Sequence, residues 1–183
     1  MSTTLTLKTK SYNKQRSWSD QYLPMLNQVA ANIIFNDPKL MNVWFKFPSL
    51  GEDRKLGIDM HLAMDSVKLS YRVREAKYLP YFCEGFTIRT VSGFGPSELE
   101  KVQQDNYADF LLYAVASPSG YGAIDCAVLI DLKLLGAQLK AFPHLIEAAE
   151  KKNGFIDFKY DDFPSSIVVG MWNVKQKESS CHQ

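Results

Sequence analysis

Between Val67 and Arg74 the chain alternates without a break, with Val67, Leu69, Tyr71 and Val73 on one side and Lys68, Ser70, Arg72 and Arg74 on the other. A two-residue period is that of a strand with one apolar and one polar face. Residues 55–64 read as its partner, joined through a tight Asp65-Ser66 turn. Upstream, Leu23, Leu26, Val29, Ala30, Ile33 and Ile34 recur at three- and four-residue steps and predict an amphipathic helix opening near Ser19. Pro24 fits only its first turn, and Asp37-Pro38 ends it. The aromatic-rich residues 40–47 suit a strand or a short helix.

Residues 86–91 read as a third strand, closed by the turn Ser92-Gly93-Phe94-Gly95-Pro96. Ser97 and Glu100 have capping-box spacing and open a short helix to about Gln104. Two continuous apolar runs, 109–116 and 123–130, suit strands covered on both faces. Asp131 can cap a helix whose Leu132, Leu135, Leu139 and Phe142 share a face. A further helical segment is predicted over 143–152, stopped by Asn153-Gly154, with peripheral strands at 155–160 and 167–171. Strands in runs, interrupted by helices, predict an α/β protein of the α+β kind: a central mixed β-sheet flanked by helices. The organisation expected is a flexible arm over 1–16, a single domain over 17–174 and a polar tail over 175–183.

Composition narrows the function classes. A chain of 183 residues, 46% hydrophobic, is long enough for one real core without disulfide staples. No apolar segment approaches the roughly 18 residues of a membrane helix, and the start lacks a signal-peptide core. Three widely spaced cysteines indicate neither a disulfide framework nor a zinc site, so a reducing cytoplasm is expected, with Cys126 a small buried hydrophobe. The net charge of +1 excludes a global basic footprint for nucleic acid. Arg54, Lys55, Lys68, Arg72, Arg74, Lys77 and Arg89 nevertheless fall in one stretch, so such a surface would be a patch. Tyr78, Tyr81 and Phe82 cluster beside it, and aromatics among cations can stack bases or serve as core. No phosphate-binding glycine loop, dinucleotide fingerprint or Ser-His-Asp arrangement is legible.

Candidate chemistry centres on Asp59, set between Ile58 and Met60, and on the triplet Glu75-Ala-Lys77 after the alternating strand. A charge in an apolar strand needs a partner or a metal. Two acids holding a divalent cation, with a lysine beside the attacked phosphate, is the equipment of a metal-dependent phosphodiesterase. Bland readings stand beside it. Asp59 can make a local hydrogen bond, Glu75 and Lys77 can be a solvated charge run, and His61, two residues after Asp59 and on its face if the strand is regular, is either a ligand or supporting group of the site or a structural histidine. Arg72, Arg74 and Arg89 suit bidentate phosphate contacts, or can pair with Glu98, Glu100 or Asp59 and hold the sheet together.

The element order, with the phrases Gly57-Ile58-Asp59, Phe86-Thr87-Ile88-Arg89, Ser97-Glu98-Leu99-Glu100-Lys101, Ala108-Asp109-Phe110 and Leu129-Ile130-Asp131, resembles the PD-(D/E)xK nuclease superfamily, in an uncharacterised phage and environmental branch. The likeness runs over about residues 20–139. It implies a restriction-endonuclease-like core of helix, three strands, helix and strand, a Mg²⁺ or Mn²⁺ cofactor, DNA as partner and a homodimer as one arrangement. Carried over, Asp59 and Glu75 would be the metal ligands and Lys77 would position water. Arg72, Arg74, Arg89 and Lys101 would grip phosphates. Simple alternation, however, puts Glu75 and Lys77 on the apolar side of the strand. Either a bulge before Glu75 flips the register, or the site uses Ser70-x-Arg72-x-Arg74 with Glu98 or Glu100 of the following helix. The function expected is metal-dependent DNA hydrolysis. The alternatives are a catalytically degenerate nucleic-acid-binding or interaction module of the same fold, or a phage structural protein.

Overall fold

The computed structural model describes residues 14, 16–35, 45–46, 60–62, 67–93, 95–119 and 122–173. Most of the expected N-terminal arm, and the tail, lie outside the described residues. Among those described, no helix is long and apolar enough to cross a membrane.

Residues 16–20 are helical, and after a turn at 21–22 helix α1 (Leu23–Phe35) follows, with Pro24 in its first turn as expected. Strands β1 (Phe45–Lys46), β2 (Met60–Leu62) and β3 (Val67–Arg74) follow, and each pairs antiparallel with the next. A 3₁₀ helix (Ala76–Tyr81) then carries the chain off the sheet into β4 (Gly85–Arg89) and helix α2 (Glu98–Gln103). The chain returns as β5 (Phe110–Ala116), parallel to β3, and β6 (Ile124–Asp131), antiparallel to β5. Helix α3 (Leu132–Ala141) and the short α4 (His144–Ala148) precede β7 (Glu150–Lys152), β8 (Phe155–Lys159) and β9 (Val168–Asn173). Among the described residues the result is a mixed six-stranded sheet, ordered β1-β2-β3-β5-β6-β9, with a three-stranded sheet, β4-β8-β7.

Two layers of core explain the alternation in β3. Its apolar face, with Leu69 buried and Val67, Tyr71 and Val73 partly so, packs on α1 through Leu26, Val29 and Ala30, together with Leu112 and Leu129. The opposite face of the large sheet carries Leu111, Tyr113, Val115 and Val128 against α2, α3 and the inner side of the small sheet, Phe86, Ile88, Ile156 and Phe158. β5 and β6 are therefore covered on both sides, as continuous apolar runs require. Helix α3 is capped by the Asp131 carboxylate, which accepts from Leu134 N–H at 2.9 Å. Cys126 is buried, and desolvation pushes its thiol pKa up to about 12.

Two expectations are corrected. The predicted strand at 86–91 exists, but it pairs with β8 in the second sheet. The 3₁₀ helix turns the chain away before β4 begins, and the three successive strands of the large sheet are instead β1, β2 and β3. The segment 143–152 is not one helix: α4 ends at Ala148, and residues 150–152 form a hairpin with β8. Asn153 and Gly154 have φ of 53° and 79°, the pair of positive values that a two-residue hairpin turn demands. Asn-Gly is thus a turn between strands here, not a helix stop.

Candidate functional site

Because β3 alternates, Ser70, Arg72 and Arg74 share the face opposite α1 and meet the small sheet and the start of α2. The register of β3 with β5 runs unbroken from Leu69↔Phe110 to Arg74↔Val115. Ser97 fixes where α2 begins: its side chain accepts from Glu100 N–H, and the Glu100 carboxylate accepts from Ser97 N–H at 2.6 Å. That capping box turns the next residue, Glu98, inward.

Glu98 is the hub of a buried polar network. Its Oε2 pairs with an Arg72 guanidinium nitrogen and accepts from the Arg89 backbone N–H at 2.8 Å. Its Oε1 accepts from the Tyr107 hydroxyl at 2.9 Å. Ser70 and Tyr107 hydroxyls are 3.0 Å apart, and since Tyr107 gives its proton to Glu98, Ser70 is the donor of that bond. The second Arg72 fork nitrogen donates to the Thr87 carbonyl at 2.8 Å. With side chains 12% and 5% exposed, Arg72 and Glu98 form a desolvated ion pair linking β3, β4 and α2. Burial is the largest single influence and would lower the Arg72 pKa, but Glu98, through its charge and hydrogen bond, together with Tyr107 and Tyr113 outweighs it, and the net shift is upward.

Beside this network lies a cationic face built on one ring. The Phe155 centroid is 5.4 Å from the Arg72 guanidinium, 5.1 Å from that of Arg74 and 5.7 Å from that of Arg89. Phe155 is the first residue of β8 and stands directly opposite Arg89 in the β4–β8 register. The Arg74 guanidinium also sits 4.2 Å from the Tyr78 ring, and its Nε is buried with no acceptor among the described residues. Lys101 Nζ lies 5.7 Å from the Tyr107 ring. Its pKa is lowered by burial and by the Arg89 charge, against the pull of Glu98, so it belongs to the same cluster. The opposing anion is Asp157, paired in register with Thr87 on one side and Glu150 on the other. Burial, then Glu150, raises the Asp157 pKa, with Arg74 and Lys152 pulling it down.

The sequence candidates separate. Arg72, Arg74, Arg89, Lys101, Ser70 and Glu98 are brought together. Glu75 and Lys77 are not among them: β3 ends at Arg74 with no bulge, Glu75 stands just before the 3₁₀ helix without a side-chain capping bond, and the two pair with each other at 2.9 Å while more than half exposed. Lys77 is correspondingly raised in pKa by Glu75. Glu100 is engaged by Ser97, whose backbone N–H lowers its carboxyl pKa. Asp59 lies outside the described residues. Sequence reading missed Tyr107, which no pattern marks, and Phe155, whose position just after Asn153-Gly154 was a usable signal.

Among the described residues, the carboxylate of this network is already engaged. Among the described residues no three His, Cys, Asp or Glu side chains converge as a metal would require. Both Glu98 oxygens are already taken up by Arg72, the Arg89 amide and Tyr107. Such a carboxylate acts as a counter-ion rather than as a free ligand for a hard cation. No protein-family model matches the chain, and a search of curated proteins finds no similar one.

Proposed function

We propose that the protein binds nucleic acid through its phosphate backbone, as a non-catalytic module, at the face formed by Arg74, Arg89 and Lys101. The observation that carries this reading is the gathering of three guanidiniums round Phe155, of which Arg72 alone has a salt-bridged carboxylate, Glu98, among the described residues. Arginine forks match phosphate oxygens bidentately. Arg72, held by Glu98 and Thr87, acts as the fixed post, while Arg74 and the exposed Arg89 supply the grip. In a chain of net charge +1, this local excess gives a defined footprint rather than a general stickiness.

The test is fluorescence anisotropy with labelled DNA across salt from about 50 to 200 mM. Arg74→Ala and Arg89→Ala are each expected to weaken binding and to reduce the salt slope by about 1. Unchanged affinity and slope in both variants would refute the assignment.

A second reading, metal-dependent phosphodiester hydrolysis in the PD-(D/E)xK manner, draws support from topology. With β4 of the small sheet set aside, the run of α1, β1 to β3, α2 and the parallel β5 is like the order of that nuclease core, and Met60, the neighbour of Asp59 in sequence, pairs with Leu69 beside Ser70. DNA cleavage in Mg²⁺ or Mn²⁺ that disappears in Asp59→Ala is its expected signature. Its absence from the unsubstituted protein would eliminate this reading.

A further inference from the structure

We infer that the 3₁₀ helix beside the arginine cluster is a stacking platform for the bases of single-stranded nucleic acid, with Tyr81 as its contact face. The inference rests on the nucleic-acid reading above. Side chains three residues apart eclipse in a 3₁₀ helix, so residues 77–82 sort into three columns. Leu79 and Phe82 form the inward column. Leu79 packs against the core, and Phe82, 8% exposed, stacks on Tyr113 with ring centroids 6.3 Å apart. Lys77 and Pro80 form a second column, both exposed. Tyr78 and Tyr81 form the third.

This third column leads out of the cationic face. Tyr78 lies against the Arg74 guanidinium at 4.2 Å, with Lys77 Nζ 5.3 Å from the same ring. One turn further on, Tyr81 is 64% exposed. The inward column already supplies the packing that holds the helix down, so the Tyr81 ring is left to solvent. Its backbone is nonetheless fixed: Phe82 N–H donates to the Leu79 carbonyl at 3.2 Å and Glu84 N–H to the Tyr81 carbonyl at 3.1 Å. Pro80 restricts φ beside it.

Three residues at a rise of about 2.0 Å set successive rings of the column roughly 6 Å apart along the helix. That is well beyond the 3.4 Å or so between bases stacked within a duplex strand. A duplex keeps its base faces against each other, whereas a single strand can splay a base onto an aromatic ring. With phosphates held at Arg74 and Arg89, the adjoining base of an unpaired strand falls on Tyr81.

The experiment compares single-stranded and duplex DNA of one sequence by anisotropy, for the unsubstituted protein, Tyr81→Ala, Tyr81→Phe and Arg89→Ala. Tyr81→Ala is expected to weaken single-strand binding by roughly 5- to 150-fold and leave duplex binding unchanged. Tyr81→Phe retains single-strand affinity. If Tyr81→Ala binds both forms as before, or loses both equally, while Arg89→Ala still weakens both, the platform is overturned and phosphate binding stands. If the unsubstituted protein binds neither form, both are overturned.

Discussion

Glu98→Ala tests the buried network most directly. The substitution leaves the Arg72 guanidinium, 12% exposed, without its counter-charge, and the Arg89 amide and Tyr107 hydroxyl without their acceptor. Removing one member of a buried ion pair costs about 3–5 kcal/mol. Against a net stability of roughly 5–15 kcal/mol for a typical domain, that is a large share. At about 2–4 °C per kcal/mol for a chain of this size, the melting temperature falls by roughly 6–20 °C. Glu98→Gln keeps an acceptor oxygen but loses the charge, and is expected to cost less, about 1.5–3 kcal/mol. The double variant Arg72→Met with Glu98→Leu removes both charges, so its loss is smaller than the sum of the single losses. Urea unfolding followed by circular dichroism measures these variants together with the single Arg72→Met and Glu98→Leu. A loss under about 1 kcal/mol for Glu98→Ala at unchanged m-value would refute the argument that Glu98 neutralises Arg72 in a desolvated setting. The same charge reasoning gives a functional corollary: Glu98→Gln, being one charge more positive, binds DNA more tightly where it remains folded.

Two further predictions concern packing and pH. A Cβ on Gly136 would stand 2.5 Å from the Val102 carbonyl oxygen, so Gly136→Ala forces α3 off α2 and costs about 1–3 kcal/mol, measurable by the same unfolding assay. Asp157 has a folded pKa raised by burial and by Glu150, so between the ordinary aspartate value of about 3.9 and that raised value the folded state holds more of its proton than the unfolded state does. Its contribution to stability therefore declines as pH rises through this window. Asp157→Asn should be more stable than the unsubstituted protein at neutral pH, with the advantage vanishing below the ordinary aspartate pKa. An advantage that grows on acidification would contradict this assignment.

The elements legible in the sequence were those written in local patterns. The period of two in β3 placed Arg72 and Arg74 on the face away from α1, and the capping box at Ser97 and Glu100 located the start of α2. The pairing of Arg72 with Glu98 stood among the sequence alternatives because both residues carry a visible charge. What escaped was non-local. Nothing within residues 86–91 says that this strand leaves the large sheet, since strand propensity does not encode the partner. Glu75 and Lys77 fitted a motif by spacing, but the motif presumed that the strand continued past Arg74. The chain instead tightens into a 3₁₀ helix at Ala76, and the two side chains end in solvent. Phe155 and Tyr107 could be recognised only after folding had set them against charges distant in sequence.

The β7–β8 hairpin closes through a two-residue turn and needs only near neighbours to form, whereas the cations it supports arrive from β3 and β4, far earlier in the chain. Seating the hairpin therefore sets Phe155 between Arg74 and Arg89 beside the Glu98-paired Arg72, and the repulsion between Arg74 and Arg89 opposes that docking. Added electrolyte shields such repulsion. The three-stranded sheet should accordingly be most loosely held in dilute buffer and tighten as ionic strength climbs, the reverse of what an attractive surface ion pair would do.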